Sequence, residues 1–114
     1  MIYIDTNIAI SLLKKGIKNF SEELIISEFS LIELERIKNI ENFNFDVIPF
    51  KILKIKEISI NFRKLRNISN ILLDKSYLSD FIHLEISKNF NLTFLSKDKR
   101  LAKVLHEYPN VKII

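Results

Sequence analysis

A chain of 114 residues with 47% hydrophobic and 28% charged side chains has the composition of one globular domain and no room for a second. It contains no Cys, which excludes disulfides, thiolate metal sites and a cysteine nucleophile. No apolar run approaches the roughly 18 residues that span a bilayer, and the formal charge of +4 favours an anionic partner such as nucleic acid. An acid at position 5 interrupts the N-terminal apolar run, so no signal peptide is expected and the cytoplasm is the default location.

Ile2-Tyr3-Ile4 is β-branched and aromatic and reads as a buried strand, ending at Asp5. Ile8 to Leu13 follows as a short helix, with Lys14, Lys15 and Gly16 suited to close it. Leu24-Ile25-Ile26 is a second strand, leading into a helix for which Ser30 and Glu33 have capping-box spacing. Val47-Ile48, ahead of Pro49, is the third strand candidate. From Phe50 to Leu73 the apolar spacing reads as helical. Ser79 is placed to cap a helix running on from Asp80, and Leu92 to Leu95 is a clear strand. A helix over Leu101 to Leu105 and a strand from Val111 to Ile114 complete the chain.

Such alternation predicts an α/β fold over residues 1–114, with a parallel sheet of about four to five strands flanked by helices on both faces. In parallel sheets, ligands and chemistry collect at the carboxyl edge of the strands. Asp5 and Asp98 follow strands directly, and Glu33 and Asp80 stand near the starts of helices that point to the same edge. Singly, each acid has a plain explanation: Asp5 as a helix cap, Glu33 as half of a capping box, Asp80 facing a helix dipole, Asp98 in a turn. Together, carboxylates in one crevice repel each other unless a cation neutralises them, and hard oxygen ligands select Mg²⁺ or Mn²⁺. Such an ion supports hydrolysis of a phosphodiester.

The same residues carry a family resemblance. Ile2 to Asn7 (Ile-Tyr-Ile-Asp-Thr-Asn) resembles the opening of PIN domains, especially the small VapC-type toxins of prokaryotic toxin–antitoxin pairs. Ser30 to Leu34 (Ser-Leu-Ile-Glu-Leu) resembles their second acidic motif, Ser79 to His83 the third, and Leu95 to Leu101 the fourth. The resemblance implies an α/β/α fold and an Mg²⁺- or Mn²⁺-dependent endoribonuclease that uses a metal-activated water. It also implies a homodimer, an RNA substrate and often an antitoxin. Asp5, Glu33, Asp80 and Asp98 would bind the metal, supported by Thr6, Asn7 and Ser96. The chain departs from the family pattern at Phe81, where a small residue is usual, and at Glu85 and Ser87, where Ala is common.

Outside these motifs, Lys51, Lys54, Lys56, Arg63, Lys64 and Arg66 form the most basic stretch. It reads equally well as a track for an RNA backbone and as the solvent face of an amphipathic helix. Its apolar residues Ile52, Ile55, Ile58, Ile60 and Phe62 exceed what one core buries, which points to a dimer or antitoxin contact. His83 reads as a structural residue rather than a general base, His106 as a surface residue, and Glu28 and Glu35 as solvated charges. The alternatives to a toxin are a housekeeping RNA-processing nuclease and a PIN-like module that binds RNA or protein without cutting. A phospho-acceptor receiver domain fits less well, because Pro49-Phe50 stands where its acceptor Asp belongs.

Overall fold

The computed structural model describes residues 1–41, 48–55, 61–72 and 77–114. In chain order the elements are β1 (Ile2–Ile4), α1 (Thr6–Lys14), β2 (Leu24–Ser27), α2 (Glu28–Glu41) and β3 (Lys51–Leu53). They continue with α3 (Phe62–Leu72), α4 (Tyr77–Asn89), β4 (Thr93–Ser96), a 3-10 helix (Lys99–Val104) and β5 (Val111–Ile113). All the strands pair in parallel in the order β3-β2-β1-β4-β5, so the α/β architecture expected from the alternation is the one observed.

β1 is the centre of the sheet, and its alternation divides the core. Tyr3 packs with Ile68 and Leu72 of α3, Phe81 and Leu84 of α4, and Leu101 and Val104 of the 3-10 helix. Ile4 joins Ile8 and Ala9 of α1 and Leu34 of α2 on the other face. A parallel strand covered on both sides is expected to be apolar throughout, as Ile2-Tyr3-Ile4 is. Burying each such large side chain contributes about 1.5–3 kcal/mol. Gly16, at φ +69°, closes α1: its N–H bonds Leu13 O and the Ile17 N–H bonds Leu12 O, the paired bonds of a left-handed helix stop.

The structure differs from the sequence expectation at several elements. The third strand is Lys51–Leu53, beyond Pro49 rather than before it; Ile48 packs against the α1–α2 core and Val47 lies outside the described residues. β3 is an edge strand whose Lys51 and Ile52 are exposed, so it lacks the apolar signature of the inner strands. Among the described residues the helix expected from Phe50 is found over Phe62–Leu72, while Lys56, Ile58, Ile60 and Leu73 lie outside the described residues. Phe81, Glu85 and Ser87 all point into the core: Phe81 is fully buried, Glu85 pairs with Lys64 at 3.1 Å, and Ser87 accepts from Asn110. Among the described residues no helix is long and apolar enough to cross a membrane.

Candidate active site at the carboxyl edge of the sheet

The register places Ile4 beside Leu95, so the residues that follow β1 and β4 emerge side by side. Asp5 holds the N-cap position of α1, yet its side chain makes no capping hydrogen bond. Its Oδ2 accepts instead from Ser96 Oγ at 2.8 Å. The Asp98 N–H donates to that same Ser96 oxygen at 3.1 Å. Fully buried Ser96 thus ties the two strand-end acids to one hydroxyl.

Asp98 caps the 3-10 helix by accepting from the Arg100 N–H, and it also receives the Arg100 side chain. Arg100 Nε lies 3.0 and 3.1 Å from the two Asp98 oxygens, and Nη2 lies 2.5 Å from Oδ2. Nη2 also reaches Asp80 Oδ2 at 3.3 Å, so one guanidinium joins two of the predicted acids. Asp80 stands in the first turn of α4. Burial is the main cause that pushes its carboxyl up to about 6; Arg100 opposes the rise, while the charges of Asp98 and Asp5 add to it.

Glu33 belongs to a neighbouring network. α2 starts a turn earlier than Ser30: the Ser30 N–H bonds Ser27 Oγ and the Ser27 N–H bonds Ser30 Oγ, a reciprocal cap without Glu33. Glu33 is left to face α4. Its Oε1 accepts from Thr6 Oγ1 at 2.7 Å and pairs with His83 Nε2 at 2.5 Å, and its Oε2 accepts from Ser79 Oγ at 2.8 Å. Burial raises its pKa, but the bond and charge of His83, with the Thr6 and Ser79 hydroxyls, outweigh it and hold the carboxyl below its ordinary value. Ser79 is therefore not the cap of α4, which begins at Tyr77; it is a donor to Glu33.

His83 Nδ1 lies 2.6 Å from the Tyr3 hydroxyl, which burial pushes up to about 12 and which also contacts Ser27 Oγ at 2.9 Å. The imidazole is buried and held on both nitrogens, so it links β1 to α2 rather than facing solvent as a base. Sequence reasoning placed it as structural without finding its partners. It missed Arg100 altogether, whose only sequence signal is its position two residues after Asp98, within the fourth motif. Asn7 is exposed on the first turn of α1. Glu28 is not merely solvated: its Oε1 accepts the Ile55 N–H at 2.7 Å and anchors the chain leaving β3.

Asp5, Asp80 and Asp98 supply hard oxygen donors of the kind that Mg²⁺ and Mn²⁺ take. Among the described residues, no three His, Cys, Asp or Glu side chains stand close enough as placed to hold an ion together. The donor chemistry fits a divalent cation; the present arrangement of Asp80 and Asp98 fits a guanidinium. No protein-family model and no curated protein matches this sequence.

Proposed function

We propose that the chain is a PIN-like, metal-dependent endoribonuclease that hydrolyses RNA phosphodiester bonds, in the manner of the toxin of a toxin–antitoxin pair. The observation that carries this reading is the convergence of strand-end Asp5 and Asp98, tied through Ser96, with Asp80 joined to Asp98 by the Arg100 guanidinium. Asp5, Asp80 and Asp98 are the residues that would hold Mg²⁺ or Mn²⁺, with Glu33 beside them. Such an ion would lower the pKa of a bound water and offset charge on the phosphodiester. Ser96 orients Asp5 and Asp98, and the Thr6–Glu33–His83 network fixes the start of α1 against α2 and α4. A cytoplasmic location, an RNA substrate, an antitoxin and a second copy of the chain as partners all follow from this reading.

One observation favours a second reading, a PIN-like module that binds without cutting: Arg100 already neutralises two of the acids. Cleavage of a pool of structured RNAs, with Mn²⁺ and with EDTA, separates the two. The nuclease reading expects cleavage that requires metal and falls by at least about 100-fold in Asp5→Asn and in Asp98→Asn. RNA binding without cleavage under every condition would leave the second reading standing.

A further inference from the structure

Arg100 sits where a cation is wanted. Its fork engages both oxygens of Asp98 and extends to Asp80, and its side chain is only about one-third exposed. Guanidinium stays protonated at any working pH, and its bidentate grip on a carboxylate is among the stronger charge-assisted contacts. The lone pairs that Arg100 takes from Asp98 and Asp80 are the ones a metal ion would coordinate. The two cations compete for these oxygens, since Mg²⁺ and Mn²⁺ need carboxylate oxygens in their inner shell. The backbone anchors the exchange: Asp98 also accepts the Arg100 N–H at 3.0 Å, so the side chain can leave while the turn that presents Asp98 stays in place.

We propose that Arg100 is a built-in counter-ion of the acidic site, which a divalent cation must displace from Asp98 and Asp80 before the site is loaded. This inference rests on the metal-centre reading proposed above. It makes the site self-masking: the acids stay neutralised at low metal concentration, and the apparent affinity for metal is lowered by the fraction of molecules in which Arg100 is engaged.

The test is Mn²⁺ binding, read by electron paramagnetic resonance and calorimetry on the full chain without RNA. The proteins are wild type, Arg100→Ala, Arg100→Lys, Lys99→Ala and Asp98→Asn, each checked for a cooperative melt in EDTA. Lys99 is an exposed cation on the same short helix, and it controls for a general loss of positive charge. The expected result is binding about ten-fold tighter or more in Arg100→Ala, the equivalent of one charge-assisted hydrogen bond forgone. Arg100→Lys falls between that variant and wild type, and Lys99→Ala stays within about two-fold of wild type. Equal tightening in Lys99→Ala and Arg100→Ala overturns the proposal, as does unchanged or weaker binding in Arg100→Ala. If either occurs while Asp98→Asn still abolishes binding, the metal centre stands and only the counter-ion role falls. No Mn²⁺ binding in any protein overturns both.

Discussion

At the scale of single residues, the carboxylates of the site divide by what neutralises them. Glu33 is satisfied by hydroxyls and an imidazole, and its pKa is lowered; Asp80 is raised to about 6, mainly by burial. The consequences for stability have opposite signs. A lowered folded pKa gives Glu33 a contribution present above its ordinary value of 4.5 and lost as pH falls through the folded value. Asp80 binds its proton more tightly folded than unfolded, so its contribution is present below 3.8 and is lost as pH rises through about 6. In metal-free buffer, urea denaturation of Glu33→Gln should show a deficit at neutral pH that shrinks in acid. Asp80→Asn should gain on wild type as pH rises from 3.8 to about 6. A parallel pH dependence in the two variants would contradict this assignment. His83→Ala opens a cavity beneath Tyr3 and leaves its hydroxyl short of a partner, an expected loss of about 3 kcal/mol by the same measurement.

At the scale of elements, what was legible in the sequence depended on burial. β1, β2 and β4 lie inside the sheet and carry apolar β-branched and aromatic runs; β3, with exposed Lys51 and Ile52, left no such trace. The helical reading from Phe50 failed over Lys51–Leu53 for the same reason and held over Phe62–Leu72, since an exposed edge strand carries polar and apolar residues without a strand's clear signature. The cap of α2 was misplaced because Ser27 and Ser30 each satisfy the other, a pairing the Ser-x-x-Glu pattern hides. Asp5 and Asp98 were visible because they follow strands, and Glu33 and Asp80 because they stand near the starts of helices; Arg100 was not, because its partner Asp80 lies 20 residues away and comes near only through packing. α3 now carries the basic side chains that remain available on its outer face. Lys64 is engaged by Glu85, whereas Arg63 and Arg66 are exposed. On the ribonuclease reading proposed above, the double substitution Arg63→Glu with Arg66→Glu should weaken RNA binding across sequences and flatten its salt dependence by about two phosphate contacts, in a filter-binding series over salt. Lys64→Ala should instead cost stability with little effect on that slope.

At the scale of the whole molecule, the sheet is sewn from distant pieces of chain. The strand pairing joins Ile2 to Thr93 and Tyr3 to Phe94, and the acids gathered at its edge come from both ends of the sequence. Long-range parallel pairing makes folding slow relative to a helical protein of the same length. Residues 2–4 are nonetheless the hub on which both flanking strands and both core layers rest.

That hub has a consequence for the newly made chain. On a ribosome, β1 must wait with one side unpaired until residues 93–95 have followed it out of the tunnel. Until then Asp5 lacks Ser96, Asp80 lacks Arg100, and the acids at the sheet edge are not gathered as a unit. Synthesis itself thus sets the moment at which these side chains meet, and a ribosome stalled before that point displays the acids of the two ends still apart.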